Sequence, residues 1–80
     1  MSNVWVVPAG TDGHGQDGDV LVRACPDGVE VGRMSGTVVE WLGSVPSDVL
    51  VIPEVHEPTA APELEIAVRG VESALVQRGG

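Results

Sequence analysis

Valine fills sixteen of the eighty positions, while Phe, Tyr and Lys are absent. β-Branched side chains are stiff at χ1 and fit a pleated surface better than a helix, so a core built from them has to be mostly strand. The expected fold class is α+β: a small, mostly antiparallel β-sheet or partial barrel of about five short strands, with a C-terminal amphipathic helix. A chain this short cannot divide its apolar residues between two cores, so one core is expected. A domain of about 60 residues buries only about 60% of its unfolded surface, and this chain is little longer. No disulfide or metal cluster is legible to make up the difference. Assembly with copies of itself or with a larger partner is therefore expected to supply burial.

The pattern along the chain divides it into a β-rich part over 1–53, a proline-containing connector over 54–62 and a helix over 63–80. Val4 to Val7 is a short apolar run stopped by Pro8 and predicts a strand. Residues 9–19, rich in Gly and Asp and without apolar periodicity, predict a mobile loop. Val20 to Ala24 and Val29 to Arg33 flank Pro26-Asp27-Gly28 and predict a hairpin, with Val29 and Val31 on one face. In Thr37 to Leu42 the Thr37/Glu40 spacing fits a helix capping box, but Val38, Val39 and Trp41 between two glycines favour a strand. Val49 to Ile52, closed by Pro53, predicts a further strand buried on both faces. In the last segment Leu64, Val68, Val71 and Leu75 recur at helical spacing, with Glu65, Arg69, Glu72, Ser73 and Gln77 on the other side. Glu63 and Glu65 near the start and Arg78 near the end suit the helix dipole. Gly70 inside it signals either a close backbone approach or simple tolerance.

Twelve acidic residues against four arginines give a formal charge of -8. That balance disfavours sequence-independent nucleic-acid binding, which needs many cations against phosphates, and it disfavours anionic membrane surfaces. A single Cys25 forms no internal disulfide. Val4 to Val7 is too short for a signal-peptide core, and no apolar stretch approaches a membrane span. A cytoplasmic or virion location, without secretion through a signal peptide, is the expectation.

No motif points to catalysis. Gly13-His14-Gly15-Gln16-Asp17-Gly18 matches the dinucleotide fingerprint, but a strand rather than a helix follows it, and Asp12, Asp17 and Asp19 would repel a pyrophosphate. The same aspartates fail the EF-hand pattern, because Asp17 and Arg23 stand where that loop needs Gly and Glu. His14, His56 and Cys25 have no zinc spacing. Cys25 has no base near it in sequence, and Glu54, Glu57, Glu63 and Glu65 have no partner nucleophile. The chain is expected to be non-enzymatic, with no catalytic residue, no metal and no cofactor. Trp5 and Trp41, its only aromatic residues, and the stripe Leu64, Val68, Val71 and Leu75 are the candidate interface residues. Each has the alternative role of filling the core.

Arg78-Gly79-Gly80 resembles the C-termini of ubiquitin-like modifiers and small sulfur-carrier proteins, whose final glycine is adenylated. In those families a strand and an extended tail reach the Gly-Gly pair, whereas here a helix runs nearly into Gly79. In overall style, a lysine-free, acidic, valine-rich miniature sheet with an appended helix resembles the small accessory virion proteins of actinobacterial phages. That resemblance implies a capsid-decorating or minor capsid protein binding in many copies to a larger assembly. Two alternatives stand beside it: a carrier acting through Gly80, and an acidic inhibitor of a basic host surface.

Overall fold

The computed structural model describes residues 3–79. Five strands, β1 (Val4–Val6), β2 (Val20–Cys25), β3 (Gly28–Ser35), β4 (Val38–Val45) and β5 (Thr59–Ala60), precede a 3-10 turn at Pro62–Leu64 and a helix, α1 (Glu65–Gly79). The strands form one open sheet in the order β4-β3-β2-β1-β5. All neighbours are antiparallel except β1 and β2, which run parallel with Val4 opposite Val20 and Val6 opposite Val22. The fold is thus the small α+β type expected, with an open sheet rather than a closed barrel. The hairpin over Pro26 to Gly28 forms in register, with Cys25 opposite Gly28. The capping-box ambiguity at Thr37 resolves to strand.

The parallel pair follows from the glycine-rich segment. A parallel neighbour needs a long crossover to bring the chain back to its starting end, and a helix usually provides it. Here residues 7–19 make the return without a helix, across one face of the sheet.

Two expectations change. Val49 to Ile52 is not a strand: the chain turns at Pro46, where the N–H groups of Val49 and Leu50 donate to the Pro46 carbonyl, and it then runs without a sheet partner. Nor is it buried on both faces, since Leu50 is sealed in the core while Val49 and Val51 are 59% and 73% exposed. The fifth strand lies instead at Thr59–Ala60, inside the segment expected to be only a connector. It pairs with β1, and the Ala61 N–H donates to the Val4 carbonyl.

Alternation along the strands gives the sheet two apolar faces. On one, Val4, Val6, Val20, Val22, Val29 and Val31 pack with Leu50, Ala61, Val68 and Leu75. On the other, Val7, Leu21 and Met34 form a smaller cluster edged by Trp5, Val39 and Trp41. Glu72 departs from the solvent-facing place expected for it. It is buried and joins sheet to helix, with carboxylate oxygens 3.4 Å from Arg33 and 3.2 Å from Arg69.

The accessible surface is 4844 Å². Scaling of folded monomers gives about 4,600 Å² at this mass, so the lone chain is covered nearly as well as a self-sufficient domain. Several large apolar side chains nevertheless stay exposed, Ile66 at 90% and Val51 at 73% among them.

Candidate interaction surface

The residues expected to mark an interface do not form one patch: the helix stripe and Trp5 lie on opposite sides of the sheet, and only Trp41 and Leu75 meet, in a groove at the β4 edge. The helix stripe is turned inward: Val68 is fully buried, Leu75 is buried against Gly43 of β4, and Leu64 and Val71 are half-buried against the same valine core. These four side chains close the chain's own sheet.

The two tryptophans are half-buried on the opposite face, under residues 7–19. The Trp5 Nε1–H donates to Asp19 Oδ2 at 3.0 Å, and the His14 ring meets the Trp5 ring edge-on at 4.4 Å. The Trp41 indole lies across Gly32, where a Cβ atom would come within 2.6 Å of the ring. On the indole sits the Arg23 guanidinium, 3.8 Å from the ring centre. Arg23 also pairs with Glu30 at 2.8 Å and donates to the Thr11 carbonyl at 2.6 Å.

Asp19 is the centre of this face; the sequence marks it only as a charge against a pyrophosphate and as a cation ligand to be weighed, not as a structural acceptor. Its carboxylate accepts the N–H groups of Asn3 and Gln16, both at 2.9 Å, besides the Trp5 indole. Burial pushes its carboxyl pKa up, but the Gln16 and Asn3 amides, the Trp5 indole and the positive field of Arg69 outweigh that and hold it below the ordinary 3.8. Gly15, at φ +93°, gives the carboxylate room, because a side chain there would collide with Asp19 and Trp5. The segment is fastened at further points, through Gly18 N–H to the Met34 carbonyl and Gly36 N–H to Asp17 Oδ1.

This geometry decides the remaining motifs. No group of three metal-ligating side chains gathers among the described residues. Asp17 Oδ1 and both Asp19 carboxylate oxygens accept protein N–H groups. The dinucleotide fingerprint leads into β2 and not into a helix. Cys25 is a free thiol at a strand end, and His56 is exposed. The helix continues to Gly79, so the described residues contain no extended tail of the carrier type, and Gly80 lies outside them. No helix among the described residues is long and apolar enough to cross a membrane.

The surface with most to offer a partner includes Trp41 and Leu75 from the expected set, but its edge character was not foreseen. It is the outer edge of β4, eight residues long and hydrogen-bonded to β3 on one side only. Val38 at its head is 66% exposed. Trp41 and Leu42 share a shallow groove of about 290 Å³ with Arg33, Glu40, Leu75 and Val76, where α1 passes the strand. An edge strand of this length, without Pro or Lys, leaves a row of backbone donors and acceptors open to pairing. A shift in register between Val31 and Gly32 bends it locally. The signal available in sequence was the apolar run itself; its edge position depends on strand order, which no local pattern specifies.

Compared with known proteins, the chain matches no family model, no curated protein and no solved structure. The surface has to be interpreted from its own chemistry.

Proposed function

We propose that this chain is a non-enzymatic attachment protein that binds in many copies to a larger protein assembly, as a capsid-decorating or minor capsid protein does on a virion. The observation that carries this reading is the long unpaired edge of β4 with its exposed valine and apolar groove. A strand edge recognises protein through main-chain hydrogen bonds, a mode suited to docking and not to turnover. The rest of the molecule serves that role as a stiff platform, both faces of the sheet being closed by its own chain. The acidic exterior keeps such a small protein soluble until it meets its lattice.

Gradient sedimentation tests the proposal. Phage particles made in cells expressing the tagged chain are purified and imaged by electron microscopy. Many copies at regularly spaced positions on the shell are expected. Bare particles, with the chain left at the top of the gradient as an 8.3 kDa species, would overturn it.

A further inference from the structure

We propose that the β4 edge takes up an extended segment of its partner as a sixth strand, and that this segment is apolar at alternate positions and carries Lys or Arg at both ends. This rests on the attachment reading and specifies the chemistry of what is attached to.

Charge placement along the edge selects the occupant. Where the chain enters β4, Asp17 accepts the Gly36 N–H at 2.7 Å, and Asp12 lines the hollow that Thr37 also borders. Midway, Glu40 is exposed. At the far end Gly28 is set against Val45, Pro46 and Ser47, which brings the turn carrying Asp27 beside the turn carrying Asp48. Arg23 is paired with Glu30, and Arg33, paired with Glu72, also stands directly opposite Glu40 and offsets it in part, so the unbalanced acids are those at the two ends of the strand. The edge is therefore acidic at its two ends and, apart from Glu40 opposite Arg33, mostly apolar between them.

A second copy of this chain suits the edge badly. Two-fold pairing would run one β4 antiparallel to the other. The Asp12 and Asp17 end of one copy would then face the Asp27 and Asp48 end of its mate, and like charges opposed across a strand pair are destabilising. A strand with cationic ends gains attraction at the same places. Its alternate side chains would lie beside Val39 and Trp41 on one face and beside Leu42 and Val76 on the other.

Two synthetic peptides with the same alternating Val-Thr core, one ending in lysines and one in glutamates, are titrated into the full chain at low salt while backbone amides are followed by NMR. The lysine peptide is expected to move the amides of Val38 to Val45 and to bind about tenfold more tightly than the glutamate peptide, the gap closing as salt is added. Glu40→Gln, an exposed change that removes the charge without setting a cation opposite Arg33, should weaken the lysine peptide and leave the glutamate peptide no weaker. Equal binding of both peptides, no binding, shifts outside β4, or self-association that protects the β4 amides would each overturn the inference. Particles that still capture Glu40→Gln undiminished while neither peptide binds would sink the strand-docking mode and leave attachment standing. A lysine peptide seated on β4 with no particle capture would do the reverse.

Discussion

Over one face of the sheet, α1 and the chain after β4 bring Leu50, Val68 and Leu75 down onto a floor of valines. Over the other, residues 7–19 bring almost no aliphatic side chains, and Asp19, Gly18, Asp17 and Thr11 tie the segment down through backbone groups. The first cover is held by apolar burial, which is non-directional and tolerates sliding. The second depends on directional bonds to a buried carboxylate, where each lost partner leaves a protein N–H without its acceptor. A small protein can thus close a two-sided sheet with only one helix, provided its other cover is stapled by hydrogen bonds.

The contrast can be broken most directly at Asp19. Asp19→Ala leaves the Asn3 and Gln16 amides and the Trp5 indole N–H without their acceptor, and a loss of about 3 kcal/mol is expected in chemical denaturation. Faster hydrogen exchange at the Trp5 indole should accompany it, with the valine face unaffected. Protonation should do the same more gently. The folded-state pKa of Asp19 lies below its unfolded value, so its stabilisation is fully present above about pH 4 and is lost as pH falls through the folded value. Melting temperature should therefore drop in that acid range by more in the natural chain than in Asp19→Ala. Equal slopes would mean that other carboxylates set the acid limit.

On the helix-covered face, Val68→Ala should cost about 2 kcal/mol, the scale for burying a valine side chain. Protection of α1 amides should fall with it while the Trp5 indole stays protected. A simultaneous loss at both places would show that the two covers unfold as one. Glu72→Gln sharpens the comparison from the polar side. It keeps the shape but weakens the ties to Arg33 and Arg69, and because Arg33 is partly exposed the cost should be about 1 kcal/mol, shrinking in salt. The smallest effect has the opposite sign. Gly70 lies mid-helix, exposed, with nothing within 4 Å of an added Cβ, so Gly70→Ala should stabilise by about 0.5–1 kcal/mol in thermal melts. That open space also decides between the two roles foreseen for Gly70, in favour of tolerance.

Where side-chain pattern and backbone preference acted locally, the sequence was sufficient. The β2–β3 hairpin, the strand character of Val38 to Leu42 and the existence of an apolar stripe on α1 were legible from alternation, turn residues and helical spacing, but not whether that stripe faced its own sheet or a partner. Val49 to Ile52 was misjudged because its composition is that of a buried strand, although only Leu50 is sealed and no neighbour offers backbone partners. Thr59–Ala60 was missed for the converse reason: two small residues near prolines carry no strand signal, and their pairing with β1 is a gift of proximity. Asp19 looked like one more loop acid, since three donors converging on it come from residues 3, 5 and 16, brought together only by the crossover.

By itself, the sequence determined a valine-rich core, a sheet with one helix and an acidic exterior, because these depend on residue type and short-range periodicity; that the core divides into two clusters, one on each face of the sheet, it did not show. Tertiary structure alone decided which side chains of the helix and which indole edges remain open, that β4 rather than another strand ends the sheet, and that the glycine segment is a bonded cover. Those outcomes depend on strand order and on contacts between residues distant along the chain, and local preferences do not specify them.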